Sequence, residues 1–275
     1  MPNITAPKPP VLKPKPAHPN DVTIVEQPAP DALFKAIGII RGEVSFDEED
    51  KAWVKIGSKS YRLGYSGISK GKNIHRLGHY PKNKDAFQAL RKDIKNSGTS
   101  TKRLIVYPQI VHFAEQKRPH ELSFNLVSFT SEKAESNELT NGLANKLNDF
   151  EFELCGLWQF IPASSTPVIT IFKNLNKARL SFIKTLSPAE KVKALKGMHI
   201  PLMWRNSLVK PFRFNSKLDR QSQQGQAPFI QVTARFLPET DSFEFIQLQS
   251  PPSASAPRFL RASAKDKAAA MKKIK

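Results

Sequence analysis

Apolar and polar positions alternate through much of the chain between residues 31 and 250, the period of strands that bury one face. Residues 34–46 form the first such run, Asp47-Glu48-Glu49-Asp50 makes a polar turn, and residues 51–56 and 60–65 add two strands around Gly57. The period then changes. Phe87, Leu90 and Ile94 recur at helical spacing across residues 85–94, with Gly98 as the stop. Residues 103–113 and 122–129 return to strand. Three strands, a helix and two strands is an order that closes a five-stranded barrel.

The order then repeats. Phe34-Lys35-Ala36-Ile37-Gly38 is echoed by Phe152-Glu153-Leu154-Cys155-Gly156, each opening a strand-rich half. Residues 167–173 follow as strand, 188–196 as a short helix, 200–204 and 211–214 as short extended pieces, and 229–237 with 243–248 as a closing pair. The expected fold class is mainly β: two tandem OB-like five-stranded barrels, each with a helix, flanked by disordered tails. The barrels cover residues 31–130 and 150–250, joined by a connector over 131–149. Nine prolines, with Lys8, Lys13 and Lys15 among them, make residues 1–30 an extended, unpacked arm. Pro251-Pro252-Ser253 opens a basic tail over 251–275, in which residues 262–275 read as an alanine-rich helix.

Composition narrows the partner. The 275 residues carry a formal charge of +19, with 43 Lys and Arg against 24 Asp and Glu, which favours a polyanion. No apolar run approaches the ~20 residues of a spanning helix and no lipidation motif is present, so no membrane association is expected. The start at Met1-Pro2-Asn3 lacks a charged and then apolar leader, and Cys155 has no second cysteine to pair with. Both point to a cytoplasmic protein.

The charge is concentrated. Residues 51–84 hold nine Lys or Arg, His75, His79, Trp53, Tyr61, Tyr65 and Tyr80, and no acid at all. Cations at that density attract phosphates, and interleaved rings offer faces on which bases stack. Alternation places Ala52, Val54 and Ile56 inward, and therefore Lys51, Trp53 and Lys55 together on the wet face. Tyr61, Leu63 and Tyr65 point inward on the next strand while Ser60 and Arg62 point out. Lys70, Lys72, Arg76 and Tyr80 then form a basic flap at the rim.

A second concentration lies over residues 173–220, with twelve Lys or Arg against Glu190 and Asp219. Lys173, Trp204, Arg205 and Arg213 are its candidate contacts. Trp204-Arg205-Asn206 and Phe212-Arg213-Phe214-Asn215 combine a ring, a guanidinium and an amide, the set that stacks bases, pairs phosphates and reads base edges. Core packing is an equal claim on Trp204. Phe212 and Phe214 are expected to face away from Arg213.

The layout of residues 31–250 resembles tandem OB-fold nucleic-acid-binding proteins. Leu104-Ile105-Val106-Tyr107-Pro108 and Cys155-Gly156-Leu157-Trp158-Gln159-Phe160-Ile161-Pro162 resemble an uncharacterised cyanobacterial family, which implies no activity. Bacterial single-stranded DNA-binding proteins end in an acidic, phenylalanine-bearing tip, whereas this chain ends Met271-Lys272-Lys273-Ile274-Lys275.

Catalytic signals are thin. His75 and His79 have metal-helix spacing without the intervening Glu, and Gly71 and Gly78 oppose a helix. The Asp47 to Asp50 carboxylates are expected to be a solvated turn; a divalent-metal nuclease built on them is the remaining enzymatic option. No phosphate-cradling GxxxxGK loop or GxSxG elbow is present, and no cofactor or resident metal is expected. The expectation is a non-enzymatic binder of single-stranded or structured nucleic acid, RNA ahead of DNA. The alternative is an assembly or scaffold subunit of a ribonucleoprotein or recombination complex, with the proline-rich arm as the segment that holds a protein partner.

Overall fold

Strand alternation in the first half closes a ring. The computed structural model describes residues 24–65, 83–113, 118–130, 142–143, 145–218 and 225–272. Its first elements are β1 (Lys35–Phe46), β2 (Ala52–Ile56), β3 (Lys59–Tyr65), α1 (Asn83–Ser97), β4 (Thr101–Val111) and β5 (Glu121–Thr130). β1 pairs antiparallel with β2 and β4, β2 with β3, and β4 with β5, and a parallel β3–β5 pairing completes a five-stranded barrel. Gly42 lets β1 approach β2 closely, since a Cβ there would lie 2.5 Å from Lys55 O. Ile40, Val44, Val54, Tyr61, Leu104 and Phe124 fill the interior. α1 closes the barrel with Leu90, fully buried, and stops where Gly98 takes φ +69° and donates to Ile94 O at 2.9 Å.

The remaining elements are β6 (Glu151–Gln159), β7 (Val168–Ile171), α2 (Lys177–Thr185), α3 (Pro188–Ala194), β8 (Met198–Met203), β9 (Phe229–Leu237), β10 (Ser242–Leu248) and α4 (Ala264–Lys272). These strands lie outside the first ring. β6 pairs antiparallel with β7 and β9, β7 with β8, β9 with β10, and β8 pairs in parallel with β10. The correspondence with the first half extends to single residues. Gly156 meets Thr170 O at 2.5 Å as Gly42 meets Lys55 O. The extra residue in β5, Val127, falls between the partners of Ile105 and Val106, and the extra residue in β10, Ile246, falls between those of Thr233 and Ala234. Gly42 therefore matches Gly156, four residues away from the Gly38 that the Phe34–Gly38 echo selects.

Helix placement differs between the halves. α1 follows the third strand of its half, whereas α2 and α3 follow β7, the second. The short α2, with Phe182 and Ile183 at its centre, carries no long helical period and escapes a sequence reading. Residues 204–218, at the place corresponding to α1, form no helix; Trp158 Nε1 donates to Val209 O at 2.9 Å and ties this segment to β6.

The halves share one buried apolar cluster that runs from Val44 and Val54 through Phe124 and Phe152 to Ile200 and Phe243. β1 also pairs antiparallel with β6, Lys35 opposite Cys155 and Gly38 opposite Phe152. Lys59 Nζ donates to Asp241 Oδ2 at 2.9 Å, and Tyr61 Oη to Asp241 Oδ1 at 2.7 Å. Burial, and then the Asp241 contact, raise the Tyr61 pKa.

The described parts of the flanks, residues 24–30 and 251–272, are docked, while the rest of the proline-rich arm lies outside the described residues. Phe229 and Ser253 exchange backbone hydrogen bonds at 2.8 Å, Val25 N donates to Pro252 O at 2.9 Å, and Ala254 N donates to Val25 O at 2.8 Å. Phe259 stacks on Phe172 with centroids 4.4 Å apart. A proline-rich composition predicts exposed chain because it ignores the two or three residues that find a sheet edge. No helix among the described residues is long and apolar enough to cross a membrane.

Candidate nucleic-acid interface

The outer face of β1, β2 and β3 carries the first group of candidates. Ala52, Val54 and Ile56 are buried while Trp53 is half-buried and Lys55 exposed, so the register is the one alternation dictates. Across the ladder Trp53 stands between Ser45 and Arg62, and Lys55 between Glu43 and Ser60. Arg62 and Ser60 are exposed, Tyr61 and Leu63 buried. Trp53, Lys55 and Arg62 thus form a patch of ring and cations on a rigid surface. Arg41, one step along β1 and also exposed, extends it. Alternation with the exposed Glu43 and Ser45 puts Arg41 on this face, which a reading confined to the acid-free residues 51–84 misses.

Lys51 belongs instead to the turn before β2. Its backbone N donates to Asp47 Oδ1 at 2.8 Å, its carbonyl accepts from Asp47 N, and its ammonium pairs with Glu49. A second carboxylate of the turn is paired as well: Asp50 meets Arg91, whose guanidinium lies 4.3 Å over the Phe46 ring. Asp47 Oδ2 accepts from Trp53 Nε1 at 3.1 Å, the first cause of the lowered Asp47 pKa, followed by the Lys51 backbone bond. The turn therefore fixes the indole by its polar edge and pairs Glu49 and Asp50 with cations. Among the described residues, no three potential ligand side chains gather into a metal-holding cluster.

Lys70, Lys72, Arg76 and Tyr80, with His75 and His79, lie outside the described residues.

The second group is split in two. Trp204 stacks on Phe245 with centroids 4.2 Å apart and planes 8° apart, and approaches Trp158 at 5.8 Å. Half-buried against the core, it is first a packing residue. Arg205 is exposed in the turn where Asn206 takes φ +52°. Arg213 is exposed and sits 4.0 Å over the Phe160 ring, because Phe212 exchanges backbone hydrogen bonds with Trp158 and Phe160 and holds the strap beside β6. Phe214 does not turn inward as expected; it is 50% exposed. Lys173 stands apart, beyond the end of β7, its pKa lowered first by desolvation and then by Arg179.

The face of the second half that corresponds to Trp53 and Lys55 is closed. Val168 and Thr170 occupy those positions and are fully buried. Gln159 Nε2 donates to Thr170 Oγ1 at 2.6 Å, Thr170 Oγ1 lies 2.9 Å from His199 Nδ1, and His112 Nε2 donates to His199 O at 2.8 Å. His112 follows β4, so the first half reaches over this surface. Burial, then His112 and nearby Lys196 and Arg261, lower the His199 pKa to about 4. Cys155 is buried, its thiol pushed up to about 12 by desolvation, which makes it unreactive as a nucleophile.

No protein-family model matches this chain, and no curated protein matches it.

Proposed function

We propose that the protein is a non-enzymatic nucleic-acid-binding protein built of two OB-like barrels, in which the outer β1–β2–β3 face of the first barrel engages single-stranded or structured nucleic acid. Phosphates are drawn to Lys55, Arg62 and Arg41, and a base stacks on the Trp53 ring. The half-exposed indole between a lysine and an arginine on a rigid barrel wall carries this reading: a ring that large stabilises most when buried, and its position here suits a flat partner. Correspondence of the ladders, glycine for glycine and bulge for bulge, supports the tandem-barrel architecture. The buried Val168 and Thr170 make the second barrel a support whose equivalent face is taken up internally.

Salt dependence tests this reading. If roughly five phosphates are neutralised, log affinity for a single strand falls linearly with log salt at a slope of about −3.5, from ~0.7 per contact. Anisotropy titrations across a salt series measure it. A flat dependence would remove the proposal.

A further inference from the structure

Cations gather a second time, away from the barrel face, on the three helices of the second half and the C-terminal segment. α3 packs against α4. Arg179 Nη2 of α2 donates to Ala194 O at the end of α3 at 3.1 Å. Phe259 on Phe172, with Arg261 about 5 Å from both rings, fastens the C-terminal segment beside them. Residues 173–196 and 258–272 contain twelve Lys or Arg and two acids, Glu190 and Asp266. Both acids serve helix starts. Glu190 Oε2 accepts from Ser187 N at 2.9 Å and Ser187 Oγ at 2.6 Å, and Asp266 Oδ2 accepts from Ser263 Oγ at 2.6 Å. Their charge complements the positive ends of α3 and α4. Lys177, Lys184, Lys193, Lys196, Lys265 and Lys267 are all exposed.

Such crowding is unfavourable in the free protein. Like charges gathered on adjoining helices repel, and desolvation lowers the pKa of Arg179 among them. A polyanion bound along these helices offsets that repulsion. We infer that α2, α3 and α4 form a second, base-independent phosphate surface that holds the backbone of the same nucleic acid beyond the stretch on the barrel face. The inference rests on the proposed function. Phe172 and Phe259, the rings beside these helices, are spent on each other and on Phe34, so neither is offered for stacking. An anionic membrane is the lesser fit: Met271 is the sole exposed large apolar side chain described on these helices, and surface-bound helices need an apolar face to bury.

The test uses the full chain, a variant combining Lys184→Gln, Lys193→Gln, Lys196→Gln and Lys267→Gln, and single strands of about 10 and about 40 nucleotides, the shorter near the site size of one barrel. The variant is expected to bind the short strand as the parent does and the long strand at least tenfold more weakly, with a salt slope shallower by about 2.8 for four lost contacts. Unchanged long-strand affinity and slope overturn the inference. So does tight, lysine-dependent binding to phosphatidylserine vesicles without any long-strand effect. If the parent binds long strands through these lysines but ignores short ones, the helical surface stands and the barrel-face reading falls.

Discussion

Phe152→Ala should lower the free energy of unfolding by about 3–5 kcal/mol, the range for a large aromatic removed from a packed interior. The side chain is fully buried on β6, and its ring lies 5.0 Å from Phe243, 6.4 Å from Phe236 and 6.3 Å from Phe124. Phe124 belongs to β5, so this ring joins the two halves. Gly38 leaves it room: a Cβ there would sit 2.2 Å from the Phe152 ring. Because the void would open at the joint and not within one half, the variant should also broaden or divide the unfolding transition, as its halves lose their shared core. Calorimetry reads both effects. A loss below about 1 kcal/mol with an unchanged, single transition would mean that the halves are held by their polar contacts instead.

Acid should weaken the fold before the carboxylates titrate. His199 has its pKa lowered from 6.5 to about 4, chiefly by burial, and His112 is lowered for the same leading reason. A base with a depressed folded-state pKa takes its proton more readily when unfolded. Its contribution is therefore complete above about pH 6.5 and lost as pH falls towards 4, by about 3 kcal/mol for His199 alone. Asp47 and Glu153, whose pKa values are lowered instead, lose their contribution only below their ordinary carboxylate range, so the two windows separate. Urea unfolding should give level stability from pH 7.5 to about 6.5 and a downward slope from there to pH 4.5, and His199→Gln should flatten that slope whatever it does to the baseline. A parent protein equally stable at pH 7 and pH 5 would show that His199 reaches water more easily than its packing implies.

Period-two alternation made the barrel face legible. Ala52, Val54 and Ile56 could be placed inside, and Trp53, Lys55 and Arg62 outside, because each strand there is wet on one side. The same reasoning fails in β6, where eight of nine residues are buried: a strand covered on both faces has no alternation to read. Closure of the Val168–Thr170 face was illegible for that reason, since only tertiary contact with His112 distinguishes it from an open one. Trp204 illustrates the limit at single residues, where a ring, an arginine and an amide in sequence look like a contact set while Phe245 has already claimed the ring. Lys51 fell to the turn because its backbone N and O both bond to Asp47.

The sharpest test of the account compares two neighbours on β2. Trp53 faces out, half-buried and held through Nε1 by Asp47, so Trp53→Ala should change stability by less than about 1 kcal/mol while weakening single-strand binding by ~1–3 kcal/mol through the lost stack. Val54, fully buried one residue along, should behave oppositely, with Val54→Ala costing stability and sparing intrinsic affinity. Thermal unfolding and oligonucleotide titration of both variants settle it. Trp53→Ala should fold as the parent does and bind poorly; a variant that both folds and binds as the parent does would rule out stacking on Trp53.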